Sequence, residues 1–307
     1  MISSFFDKTK PINFLVLLGS AFLLFWAVTL HTFRLDITYN IFFEKGLTTI
    51  ALLFLVFLLG NMVKSKKLTQ DNSFAMFFFL GLLFSFPEAL KNDAIVLSGF
   101  FLLLSINRTI ALKEEKNHKE KIFESAFWLF TSSLFCEWVL LFLIALFVAI
   151  YLFVGKQLRM WLMPLAALFC VLMLSFTFFW VFDATDFFLN HYQFPINLDF
   201  FLQPQYGLVT YIIIAISIAA LVFGKLGYRR LGRTLSLRII GTFLILSIVI
   251  VIASSNDVQG LEFFSFLPAS IFFANFLETL KKRKVKEIVL VTNIILPITV
   301  FVFWLLH

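Results

Sequence analysis

The sequence predicts an all-α fold, a polytopic bundle of about eleven transmembrane helices, and three observations predict it. Of the 307 residues, 61% are apolar and only 14% charged, with a mean hydropathy of +0.97; soluble domains sit near roughly 45–50% and 25%. Apolar runs long enough to cross a bilayer recur along the whole chain. The Lys and Arg residues gather in alternate turns between those runs. A water-soluble fold of this size has no interior large enough for so much apolar surface. Disorder is excluded because too little polar sequence is present to keep the chain expanded.

Crossing about 30 Å of hydrocarbon takes roughly 17–25 mostly apolar residues. Runs of this kind lie near 11–30, 42–62, 74–90, 93–112, 138–154, 160–182, 206–224, 237–254, 263–280 and 288–306. The stretch 122–155 is too long for one span and short for two. It reads as a hairpin of two short helices with Glu137 at its tip, giving eleven helices. The alternative is an interfacial helix followed by one span, giving ten. The first run is too long for a signal-peptide core, and no connecting loop has room for a soluble domain. Residues 1–307 therefore read as one transmembrane domain.

Orientation follows from charge. All but three of the 25 Lys and Arg residues fall in one set of turns, the exceptions being Arg34, Lys45 and Lys91. The basic side is cytoplasmic by the positive-inside rule, so the N-terminus is inside. This distribution also explains the net charge of +7: the juxtamembrane clusters face anionic lipid, and no folded element for reading nucleic acid accompanies them. The expected location is therefore a membrane crossed many times, with membrane lipids as the first partners.

The acids sit differently. Asp36, Glu44, Glu88, Asp93, Glu137, Asp183, Asp186, Asp199, Asp257 and Glu262 fall outside or near the outer edge. A carboxylate at the edge of hydrocarbon is costly unless it faces water, a partner or a ligand. Gly81, Ser85 and Glu88 fall at i, i+4 and i+7 in the 74–90 run, a small, polar stripe on one helical face that ends in a carboxylate, which makes Glu88 a candidate site. Its alternative role is an ion pair with Lys91, three residues on. Glu44 pairs with Thr48 at the start of the second run, Asp93 opens the fourth, and Glu137 caps the hairpin. Asp36 follows the first run beside Arg34. Loop 183–205 mixes aromatic and acidic residues without Lys or Arg. It reads as an interfacial lid or as a plug of the bundle, with His191 a hydrogen-bonded interfacial residue or a ligand contact.

Two cysteines, Cys136 and Cys170, lie in apolar runs and offer neither a disulfide framework nor metal spacing. The four histidines are scattered, so no protein-ligated metal motif is expected. Pro87, Pro164, Pro268 and Pro297 interrupt four runs, yet no repeat links two halves as in many transporters. Small-solute transport therefore ranks third among the functions.

From Lys121 to Val181, KIFESAFW, the tip at Glu137, an aliphatic helix and RMWLMP resemble the middle of the GT-C membrane glycosyltransferases, which use polyprenyl-phosphate-linked sugars. The opening MISSFFDKTKPINFLVLL, with FPEAL and KIFESAFW, also resembles an uncharacterised inner-membrane family of Bacteroidota over most of the chain. The GT-C resemblance implies an acidic residue of the first outer loop as base or metal-linked activator. Asp36 matches by position and Asp93 in the second outer loop matches less well, with Glu88 the third catalytic candidate. Arg34, or a divalent cation such as Mg or Mn, would offset charge on the leaving polyprenyl phosphate. Glu44, Lys91, Glu137 and His191 are the remaining candidates for binding substrate. No adjacent acidic pair follows the first helix, a departure from the GT-C pattern. The competing expectation is a non-catalytic membrane subunit that supports an envelope assembly or secretion complex.

Overall fold

The protein's structure, a computed structural model, describes residue 6 and residues 11–33, 38–114, 116–194, 205–226, 231–254 and 259–306. It is all-α, with no strand among the described residues. The helices are α1 (Pro11–Phe33), α2 (Tyr39–Ser65), α3 (Phe74–Ser85), α4 (Asp93–Ala111), α5 (His118–Ser133) and α6 (Leu143–Phe153). They are followed by α7 (Met163–Val181), α8 (Tyr206–Leu226), α9 (Leu231–Ala253), α10 (Phe263–Thr279) and α11 (Arg283–Leu306). Shorter helical turns cover Pro87–Leu90, Glu137–Phe142, Leu158–Trp161 and Phe187–His191.

Seven of these segments, in α1, α2, α4, α7, α8, α9 and α11, are long and apolar enough to cross a membrane. Three more apolar helical segments are shorter, Phe74–Ser85, Glu137–Phe153 and Phe263–Thr279. Burial explains part of the difference. Helix α10 is buried almost all round and packs against α3, α8 and α9, while α3 is equally enclosed. A helix wrapped by protein does not need to match hydrocarbon thickness along its own length. At the periphery, α7, α8 and α11 turn outward large side chains such as Phe169, Trp180, Ile213, Ile295 and Phe303. Apolar residues on the outward faces of long helices are what a lipid solvent stabilises.

Proline decides two boundaries. The run 74–90 is not one helix: α3 stops at Ser85, and Pro87 opens a 3-10 turn after Phe86 turns to φ −131° and ψ 67°. Proline lacks an N–H and disfavours helical geometry in the residue before it. The expected helical face through Gly81, Ser85 and Glu88 is therefore broken, and Glu88 stands on the turn. Gly81 instead lets α11 approach, since a β-carbon there would lie 2.6 Å from Asn293 Nδ2. Pro164 starts α7 rather than interrupting it, in keeping with proline's tolerance of the first helical turn. Pro268 and Pro297 do lie inside helices, α10 and α11.

Residues 122–155 form two helical segments that meet at Leu134–Cys136, with Glu137 opening the second. The first begins earlier than its apolar run, at His118. Helices α4 and α5 are fastened by facing hydroxyls. Ser98 meets Ser132 at 2.9 Å, Ser105 meets Ser125 at 3.1 Å, and Thr109 meets Ser125 at 2.6 Å. Small polar residues let the two backbones come close and satisfy one another away from water.

The long-range contacts define two ends. At one, Lys66 and Lys121 bind Glu114, Lys113 donates to the Lys66 carbonyl at 2.7 Å, and Arg233 donates to the Leu68 carbonyl at 3.0 Å. These residues come from turns that the charge pattern assigns to one face. At the other end, Lys45, Glu88, Lys91, Asp93 and Trp304 come together.

Candidate functional site

The second end is assembled from four stretches of chain. The 3-10 turn after Pro87 presents Glu88 and Lys91 side by side, with Lys91 Nζ 2.8 Å from Glu88 Oε2. From α11, Trp304 donates its indole N–H to Glu88 Oε1 at 2.6 Å. The Lys91 ammonium lies 5.2 Å from the Trp304 ring centroid, a cation–π contact. From α1, the His31 ring packs on Trp304 with centroids 4.5 Å apart.

Asn92 caps α4 through its side chain, which accepts the Ala94 N–H at 3.1 Å, and this cap fixes Asp93 in the first turn. Asp93 is then met by Lys45 from α2, at 2.7 Å. Lys45 also reaches the Lys91 carbonyl at 3.4 Å, so the two ion pairs are linked through the backbone of one turn.

Two depressions meet at the Glu88–Lys91 pair. One, of about 430 Å³, is lined by His31, Glu88, Lys91, Val300, Phe303 and Trp304. The other, of about 510 Å³, is lined by Glu88, Lys91, Asn92, Asp93, Ala94 and Gln259. The first has an apolar wall on the outward face of α11 and the second is polar. The ion pair stands on the divide between them.

Glu262, at the start of α10, lies close enough to Glu88 to feel its charge. Burial, with Glu88 adding to it, pushes the Glu262 carboxyl up to about 6 from its ordinary 4.5. Burial disfavours the charged form and a neighbouring anion does the same.

The predicted site residues divide. Glu88, Lys91 and Asp93 come together. Glu44 is exposed on α2, and its backbone carbonyl, not its carboxylate, accepts the Thr48 hydroxyl. Glu137 and His191 belong to a second group, where a His191 ring nitrogen lies 2.8 Å from the Ser133 carbonyl oxygen and Tyr192 OH is 3.3 Å from Ser133 Oγ. Glu137 lies near enough to Tyr192 to act on it electrostatically. Arg34 and Asp36, and with them Asp199 and Asp257, lie outside the described residues. His31, Lys45, Glu262 and Trp304 are site members that the sequence did not single out. The one signal available for them was position, since each sits at an end of an apolar run on the predicted outer side.

Among the described residues the donor set does not fit a divalent cation. Glu88 and Asp93 each already bind a lysine, and among the described residues no group of three His, Cys, Asp or Glu side chains could hold a metal ion. Set beside known proteins, the chain matches no family model, no curated sequence and no solved structure.

Proposed function

We propose that the chain is a multi-pass protein of the bacterial inner membrane that handles a polyprenyl-phosphate-linked sugar at the outer leaflet, in the manner of the GT-C enzymes. The observation that supports this reading is the place of the Glu88–Lys91 pair, between a depression walled by Val300 and Phe303 and one lined by Asn92, Asp93 and Gln259. An amphiphile needs that adjacency: its chain lies along α11 while its headgroup turns into the polar half.

In this reading Lys91 leaves Glu88 for the ligand's phosphate and offsets the charge that grows on it as the anomeric C–O bond breaks. Glu88, freed from the lysine, takes the proton of the acceptor hydroxyl as its oxygen bonds to the anomeric carbon. Asp36 shares this role by its resemblance to the GT-C acid.

A second reading, a non-catalytic subunit of an envelope complex, is favoured by one observation: Glu88 and Asp93 are each already neutralised by a lysine. The test separates the two. In a strain lacking the gene, Glu88→Gln lowers function by about 10²–10⁴-fold, the usual contribution of a positioned base, and Asp36→Asn also impairs it. Protein with Lys91→Ala, purified in mild detergent, loses the polyprenyl-phosphate lipid that mass spectrometry finds on the wild type. Full complementation by both carboxylate variants, with polypeptide rather than lipid in the eluate, overturns the enzyme reading.

A further inference from the structure

The charges that line the cleft balance among themselves. Glu88 meets Lys91 at 2.8 Å and Asp93 meets Lys45 at 2.7 Å, while Glu262 lines neither depression. The two pairs are not equally free. The Lys45 side chain is 8% exposed, reaches the Lys91 carbonyl at 3.4 Å and lies 5.4 Å from the Phe33 ring centroid. Glu88 and Lys91 are partly exposed and line both depressions. The Lys91 ammonium also shows what kind of group this place holds. It stands against the Glu88 carboxylate and 5.2 Å from the Trp304 ring centroid, and the Trp304 N–H fixes the other carboxylate oxygen. A carboxylate beside an indole face is a seat for a primary ammonium, which gains charge-assisted hydrogen bonds from the first and a cation–π contact from the second.

We infer that the cleft seats the headgroup of a zwitterionic phospholipid with a primary ammonium, the phosphatidylethanolamine class. The lipid's phosphate takes Lys91, its ammonium takes the place of Lys91 Nζ between Glu88 and Trp304, and its chains lie along Val300 and Phe303. Charge balance selects this occupant. An anionic headgroup that took Lys91 leaves Glu88 without its cation and beside a second negative charge. A cation that took Glu88 strands Lys91 in the same way. A zwitterion exchanges one internal pair for two external ones and leaves no charge alone. A quaternary ammonium meets the indole face but has no N–H to give Glu88. The apolar side fits the same ligand, since Val300 and Phe303 are exposed on the outward face of α11 and line the first depression with the pair. This lipid is a resting occupant, distinct from the sugar donor of the proposed function, and its binding requires no reaction.

Full-length protein in mild detergent is stripped of lipid and mixed with phosphatidylethanolamine, phosphatidylcholine or phosphatidylglycerol of identical chains. Native mass spectrometry counts the lipid retained. Anionic lipid held at the basic turns cancels in the difference between wild type and a double variant, Glu88→Gln with Lys91→Met. In that difference a single phosphatidylethanolamine is retained, about tenfold more tightly than either other lipid, the scale of one hydrogen bond to a charged group. Glu88→Gln alone inverts the order: the amide neither holds the ammonium nor repels an anion, so phosphatidylethanolamine falls and phosphatidylglycerol rises above it. A purely structural role for the pair would move all three lipids together. Equal retention of the three, a wild-type preference for phosphatidylglycerol in that difference, or an order unchanged by Glu88→Gln overturns the inference. Phosphatidylcholine held as tightly as phosphatidylethanolamine overturns the primary-ammonium assignment. If the double variant fails to fold, Glu88→Gln and Lys91→Met singly supply the reference. The proposed function fails separately, when polyprenyl phosphate does not bind a protein that does retain phosphatidylethanolamine.

Discussion

At one end of the bundle Arg233 and Glu278 have side chains only 12% and 6% exposed, and they meet at 2.6 Å. At the other, Glu88 and Lys91 are 39% and 33% exposed and meet at 2.8 Å. The buried pair is surrounded by partners. Arg233 also donates to Asn275 Oδ1 at 2.6 Å and to the Leu68 carbonyl, while Glu278 accepts from the Gln70 N–H and from Asn72 Nδ2. The loop between α2 and α3 is thereby clamped onto α9 and α10. Nearby, a hydrogen bond from Lys66 holds the Glu114 carboxyl below its usual range, and burial pulls the Lys113 ammonium down. The exposed pair has open space on both sides. Equal chemistry in unequal solvent makes one end a structural clasp and leaves the other available to a ligand.

The clasp offers the largest effect. Arg233→Ala leaves Glu278 buried without its cation and costs about 3–5 kcal/mol, read as a fall in thermal or denaturant stability in detergent. An apolar double replacement, Arg233→Met with Glu278→Leu, removes the unpaired charge but recovers only part of that loss, because Asn275 Oδ1, the Leu68 carbonyl and Asn72 Nδ2 lose their partners. Equal stability of Arg233→Ala and wild type would erase the distinction between the ends.

A smaller effect comes from Glu262. Its folded-state pKa lies above its ordinary value of 4.5, at about 6, so the sign is fixed. Its stabilising contribution is fully present below pH 4.5 and is lost as pH rises through about 6. The loss is no more than about 2 kcal/mol, since each tenfold change in proton affinity is worth about 1.4 kcal/mol. Melting curves across that window check it, and Glu262→Gln flattens the dependence.

Least of all, Lys91→Ala changes stability by under about 1 kcal/mol, since a pair a third exposed is screened by water. Under the proposed function its effect falls on ligand retention, and a melting temperature that fell as far as in Arg233→Ala would make the cleft another clasp.

What could be read along the chain was whatever depends on near neighbours. Apolar run length marked most of the helices, but a face read straight through Gly81, Ser85 and Glu88 missed the break that Pro87 makes before Glu88. Lys91, three residues from Glu88, was legible as its partner because the spacing is local. The contacts that build the site are not local: Lys45 meets Asp93 across 48 residues, and Trp304 reaches Glu88 across 216. Trp304 and His31 looked like ordinary residues at the ends of apolar runs. Glu137 resembled Glu88 in composition and setting, yet its helix delivers it to the Ser133–Tyr192 group instead.

The sequence by itself determined that this is an all-helical chain suited to an apolar solvent, that its basic residues gather in alternate turns, and that Glu88 has a cation beside it. Only the tertiary structure decided that Trp304, His31 and Glu262 join that pair, and that Arg233 closes on Glu278 instead of facing water. Hydrophobic pattern reports the solvent each residue prefers, a property of its immediate stretch. Which distant side chains become neighbours depends on the order of the helices around the bundle, and that order is set by packing among all of them at once.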